Sequence, residues 1–76
     1  EWHTLQIDAG RQDKLRPGDI MGALAGEAGL GKNEVGKIDL FATRAYVAVV
    51  RGKADAVVEK LRTGKIKGRS FRVRKL

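Results

Sequence analysis

Four stretches of the chain carry apolar residues in the manner of strands. In Thr4-Leu-Gln-Ile-Asp8, Leu5 and Ile7 fall on one side, and in Lys37-Ile-Asp-Leu-Phe41, Ile38 and Leu40 do the same. Ala45-Tyr-Val-Ala-Val-Val50 is apolar on both faces, as a central strand can be. Arg69 to Leu76 alternates again, with Phe71, Val73 and Leu76 on one side and Ser70, Arg72 and Arg74 on the other. Between these lie two stretches of helical spacing. Pro17 to Ala28 places Ile20, Ala23, Leu24 and Glu27/Ala28 on one stripe, with Pro17 suited to the first turn and Asp19 near the positive end of the dipole. Its internal Gly22 and Gly26 each cost up to about 1 kcal/mol relative to Ala, a cost that close packing on a sheet would explain. Lys53 to Thr63 aligns Ala54, Val57, Val58 and Leu61 and stops at Gly64, where a left-handed residue is expected.

The order is therefore βαββαβ. Two βαβ halves with right-handed crossovers give an α+β, ferredoxin-like sandwich: a four-stranded antiparallel sheet in the order 4-1-3-2, both helices on one face, the other face open. The expected organisation is a single domain over residues 1–76.

Length and composition restrict what such a domain can do. A chain of 76 residues has a core near the lower limit of independent stability, too small for a complete P-loop NTPase. Its longest apolar run, Ala45 to Val50, is far from the roughly 20 residues of a membrane span, so no membrane partner is expected. There is no cysteine to form a disulfide or a thiolate metal site, and the chain opens on no signal segment. A soluble, cytoplasmic protein is expected.

Charge adds the first functional information. Of the sixteen cations, eight lie in residues 60–76 with no acid among them, whereas residues 1–59 carry eight cations against nine acids; the whole excess of +7 sits in the last 17 residues. Such clustering fits a polyanion partner, because every Lys or Arg that neutralises a phosphate releases condensed counterions.

Catalytic patterns are thin. Gly31-Lys-Asn-Glu-Val-Gly-Lys-Ile38 is one residue short of a phosphate loop, with Ile38 where a Ser or Thr would hold magnesium. A phosphate loop follows a strand and opens a helix; this segment follows a helix and feeds a strand, so it reads as a turn, with Gly36 marking a strand entry or bulge, and no bound nucleotide or other cofactor is expected. His3 has no evident nucleophile or carboxylate beside it, and Asp8 and Asp39 on the open sheet face read as solvated acids.

The segments Lys14-Leu-Arg-Pro-Gly-Asp-Ile-Met-Gly-Ala-Leu24, Val35-Gly-Lys-Ile38, Tyr46-Val-Ala-Val49 and Gly64-Lys-Ile-Lys-Gly-Arg-Ser-Phe-Arg-Val-Arg74 resemble the C-terminal RNA-binding domain of DbpA-type DEAD-box RNA helicases, in order and spacing and over nearly the whole chain. The resemblance implies an RNA recognition motif fold and a non-catalytic accessory domain. Such a domain directs an ATP-dependent helicase core in the same parent chain to a structured RNA, in DbpA itself large-subunit ribosomal RNA during ribosome assembly. Against the third-strand signature of RNA recognition motifs, Arg44 and Tyr46 agree, Ala48 and Arg51 replace two aromatic positions, and Gln6 stands where the first strand usually carries a ring. Tyr46 alone remains to stack a base.

The topology points to a second surface. The loops after the first strand, between the second and third strands, and after the second helix meet at one end, and each is basic: Arg11, Lys14 and Arg16; Arg44; Lys65, Lys67 and Arg69, with Arg62 at the close of the second helix. This end, with the N-terminus of the first helix pointing into it and Arg72 and Arg74 continuing down the fourth strand, is expected to bind phosphates. Gln12, Asp13 and Ser70 are candidates for reading bases. Two competing classes remain: a protein-interaction or dimerisation module using an open sheet face poor in aromatics (Thr4, Gln6, Ala48, Val50), and an acylphosphatase-like enzyme, whose required Asn is matched only by Asn33 in the wrong loop.

Overall fold

In the computed structural model, which describes residues 1–76, the alternating segments become the expected strands, with shifted ends. The order is β1 (Trp2–Ile7), α1 (Pro17–Gly26), β2 (Val35–Leu40), β3 (Ala45–Val50), α2 (Ala54–Thr63) and β4 (Val73–Lys75). All pairings are antiparallel and the sheet order is β2-β3-β1-β4, the ferredoxin-like arrangement. Leu5, Ile7, Val47, Val49 and Val73 project from one face into a single core with Ile20, Ala23 and Leu24 of α1 and Val57 and Leu61 of α2. No helix is long and apolar enough to cross a membrane.

The shifted ends have physical causes. β4 pairs with β1 only from Ile7↔Val73 to Leu5↔Lys75, three residues rather than the full alternating run. The preceding segment is diverted into a tight turn in which Ile66 and Arg69 exchange backbone hydrogen bonds (2.9 and 3.1 Å). Both central residues of that turn have positive φ, Lys67 at 54° and Gly68 at 75°, as a type I′ turn requires. Ile66 is 2% exposed and pins the turn to the core, a buried residue hidden among basic neighbours. The register also corrects the side assigned to Leu76: with Lys75 opposite Leu5, Leu76 donates its N–H to Thr4 on the open-face row and is exposed.

Three glycine expectations meet different outcomes. Gly36 does lie at a bulge, where the β2–β3 register slips between Val35 and Ile38, and the Trp2 ring lies across it. Gly64 is not left-handed (φ −88°); it is required because a Cβ there would stand 2.6 Å from the Glu27 carboxylate and 2.8 Å from the Lys60 carbonyl. Gly22 and Gly26 are exposed with nothing within 4 Å of an added Cβ, so they do not serve sheet packing. Gly10, by contrast, leaves no room: a Cβ would lie 2.2 Å from the Phe41 carbonyl oxygen of the β2–β3 hairpin. Gly22→Ala should therefore stabilise the domain by about 0.5–1 kcal/mol, while Gly10→Ala should destabilise it by about 1–3 kcal/mol or more, since a backbone must move. Urea unfolding of both variants measures this; equal effects of the two would contradict the packing described.

Candidate nucleic-acid interface

The end of the sandwich built by the β1–α1, β2–β3 and α2–β4 loops is held by backbone contacts that carry the basic side chains to it. From the short helical turn Arg11–Asp13, the amides of Arg11 and Gln12 donate to the carbonyls of Phe41 and Ala42 (both 2.9 Å), and the Arg11 guanidinium reaches the Leu40 carbonyl. Asp13 accepts the Gly10 amide at 3.0 Å and faces Arg69 at 3.6 Å. The Arg69 guanidinium also donates to the Asp13 carbonyl and lies 5.0 Å from the centroid of the Phe71 ring. Lys67 donates to the Lys14 carbonyl at 2.7 Å and faces Asp19 at 3.7 Å. Asp13, offered by the sequence as a base reader, is thus committed to the scaffold.

Asp19 accepts the Arg16 amide at 2.9 Å, so the N-terminus of α1 already holds a carboxylate and offers no vacant anion site. The same device recurs where Glu34 accepts the Gly31 amide at 2.9 Å. The segment resembling a phosphate loop is thereby a closed turn entering β2.

The nine residues expected to bind RNA do not form one patch. Arg44, Arg72 and Arg74 gather with Arg62 and Ser70 around a cleft of about 680 Å³ at the β4 side of the open face, floored by Gln6 and Asp8. Lys14 and Arg16 line a second, neighbouring hollow with Arg11 and Lys67. Lys65 and Lys67, on either side of buried Ile66, face a groove along α1 beside Asp19, Gly22, Gly26 and Glu27. Tyr46 lines none of these; its ring meets Phe41 edge-on, with centroids 5.9 Å apart and planes at 72°. The open face is also richer in aromatics than its strand pattern implied, because β1 begins at Trp2 and the hairpin carries Phe41, both about half exposed.

Ion pairing decides where the charge is available. Seven acids each hold one cation: Asp8–Arg44, Asp13–Arg69, Asp19–Lys67, Glu34–Lys53, Asp39–Lys37, Asp55–Lys75 and Glu59–Arg62. Of sixteen cations and nine acids, nine cations and two acids remain unpaired. Six of those nine cations, Arg11, Lys14, Arg16, Lys65, Arg72 and Arg74, belong to the loop end and the fourth strand with its approach; Lys32, Arg51 and Lys60 lie elsewhere.

A family model described as the DbpA RNA binding domain matches residues 4–75. The chain belongs to that family. Over 76 residues it is 46% identical to the ATP-dependent RNA helicase DbpA of Escherichia coli (strain K12), a match covering 100% of this chain and 17% of that protein. It is 27% identical over 71 residues to the ATP-dependent RNA helicase DbpA of Bacillus subtilis (strain 168), covering 93% of this chain and 15% of that protein. It is 30% identical over 71 residues to the ATP-dependent RNA helicase DeaD of Buchnera aphidicola subsp. Schizaphis graminum (strain Sg), covering 93% and 12%. The chain thus spans less than a fifth of the length of these relatives, and what it spans is the non-catalytic RNA-binding domain.

Three carboxyls are held below their ordinary range. Glu34 is lowered from 4.5 by the Lys53 ammonium and the Gly31 amide, Asp55 from 3.8 by the Lys75 ammonium, and Asp8 from 3.8 by the Gln6 amide and then by Arg44, Arg74 and Arg72. A depressed folded-state value means that the unfolded chain takes up protons first. The stability these groups contribute is therefore complete above the ordinary values of 4.5 and 3.8 and is lost as pH falls through the lower folded-state values. Tm should stay level from about pH 7 to 5 and fall below about pH 4.5, and Glu34→Gln should shrink that fall. A Tm that rises on acidification, or an acid limb unchanged in the variant, would contradict these pairings.

Proposed function

We propose that this domain is the RNA-targeting part of a cytoplasmic, ATP-dependent DEAD-box helicase of the DbpA type, and that it brings the helicase core to a structured element of large-subunit ribosomal RNA during ribosome assembly. The observation that carries the reading is the clustering of available charge: six of the nine cations left without an ion-pair partner lie around one end and the fourth strand. A structured RNA fits this arrangement better than an extended single strand, because the cations surround clefts at an end of the domain rather than a row of stacking rings across the sheet. The ribosomal target rests on the kinship with DbpA helicases. Exposed Trp2 and Leu76 on the open face favour a second reading, a protein-contact surface, whose signature is association insensitive to salt.

Salt and charge deletion test the proposal together. Neutralising about 4 to 6 phosphates makes log affinity for a structured ribosomal RNA fragment fall with log salt at a slope of about 3 to 5. Arg16, Lys65 and Arg72 make no side-chain hydrogen bond or ion pair within the domain, so the triple Ala variant should unfold normally while binding weakens and the slope drops by about 2 to 3. Replacing Lys67 and Arg69 is a poorer test, because both brace the α2–β4 turn against the β1–α1 loop. A slope near zero, or a triple variant with unaltered affinity, would refute the proposal.

A further inference from the structure

Two residues other than glycine have positive φ, Lys14 at 64° and Lys67 at 54°, and the side chain of the second ends on the backbone of the first. A side chain is strained in this left-handed region, and at the first central position of a type I′ turn Asn, Asp or Gly is the favoured residue. Lys67 occupies that position and does what none of those residues can. Its ammonium crosses from the α2–β4 turn to the Lys14 carbonyl at 2.7 Å, an oxygen that receives no backbone N–H, and faces Asp19 at 3.7 Å. Arg69, two residues on, makes a second strap to the same loop. Its guanidinium is divided between the carbonyl (3.3 Å) and the carboxylate (3.6 Å) of Asp13 and lies over the Phe71 ring, while the Asp13 carboxylate also accepts the Gly10 amide.

The two straps join loops that carry unpaired cations. Lys67 borders both the hollow lined by Arg11, Lys14 and Arg16 and the groove lined by Lys65. Leu15 is buried and anchors the β1–α1 loop in the core without help from the straps, so what the straps add is the placement of one loop against the other. Cations held at a fixed spacing bind a rigid polyanion more tightly than the same cations on loops that must be ordered during binding. We propose that Lys67 and Arg69 are positioning residues of the RNA interface: they lock the α2–β4 turn to the β1–α1 loop, so that Lys65 on one side and Lys14 and Arg16 on the other present a pre-set spacing to the phosphates of a structured RNA. This rests on the RNA-binding reading above, and it takes Lys67 and Arg69, which the sequence pattern placed among the phosphate-binding residues, out of direct contact with the RNA.

The test measures affinity for a structured large-subunit ribosomal RNA fragment across a salt series, together with Tm and backbone 15N order parameters of the free domain. Lys67→Asn removes one strap but places a favoured residue in the turn. Its Tm should therefore hold or rise while order parameters fall across residues 11–16, affinity drops about three- to tenfold, and the salt slope keeps its wild-type value. Arg69→Gln should show the same loss of affinity at constant slope. Lys67→Arg, which keeps a donor for the Lys14 carbonyl, should restore both affinity and loop order. Lys65→Gln, the loss of a phosphate contact, should instead lower the slope by about 0.7 to 0.9 with the loop unchanged. If Lys67→Asn lowers the slope as Lys65→Gln does, Lys67 is a phosphate ligand and the inference is wrong. It is equally wrong if affinity does not change, or if Tm and affinity fall together, as a purely structural role requires. A failure confined to the Lys67 and Arg69 variants leaves the RNA-binding reading standing; a wild-type domain that does not bind the RNA overturns both.

Discussion

The contact between Gly10 and the β2–β3 hairpin fixes the geometry on which the basic end depends. With no Cβ at position 10, the β1–α1 loop comes within hydrogen-bonding distance of the carbonyls of Phe41 and Ala42, and a side chain there would overlap them. The loop so fixed has Asp13 and the Lys14 carbonyl facing Arg69 and Lys67 across the α2–β4 turn. Three connections that are remote in sequence become one rigid rim. Arg44 in the hairpin and Asp8 at the end of β1 then lie side by side, which no local sequence pattern announces.

Pairing on this rim separates structural cations from available ones. Exposed ion pairs contribute at most about 1 kcal/mol each to folding, so their main consequence is electrostatic: a paired Lys67 or Arg69 presents little net field, while Arg16, Lys65 and Arg72 present all of theirs. Composition alone located the excess charge in the last 17 residues, but three unpaired cations of the rim, Arg11, Lys14 and Arg16, come from the first loop, and Lys75 at the far end of the chain is spent on Asp55. The polyanion surface is made by the fold rather than by the tail.

Element order, sheet order and most of the core were legible because Leu5, Ile7, Val47, Val49, Val57 and Leu61 obey strict strand or helix periods. What escaped has identifiable reasons. Ile66 lies among Lys65, Lys67 and Gly68, so its burial shows only when the turn is folded. The extension of β1 to Trp2 follows from its pairing with Val50, a long-range contact with no alternation to signal it. Gln6 and Asp8 read as solvent-facing polar residues of a strand, and only β4 lying beside them turns that position into the floor of a cleft. Placing the basic residues was harder than finding them, since the sequence does not reveal which acid each will meet.

The central claim is that RNA meets the loop end and the β4 side of the domain and not the middle of the sheet. Backbone amide shifts of the 15N-labelled domain, recorded as a structured ribosomal RNA fragment is added, test it residue by residue. The account predicts changes concentrated at Asp8, residues 11–16, Arg44 and residues 69–74, with Trp2, Ala48 and Val50 little affected. Changes centred on Trp2, Ala48 and Leu76 with a silent loop end would contradict it.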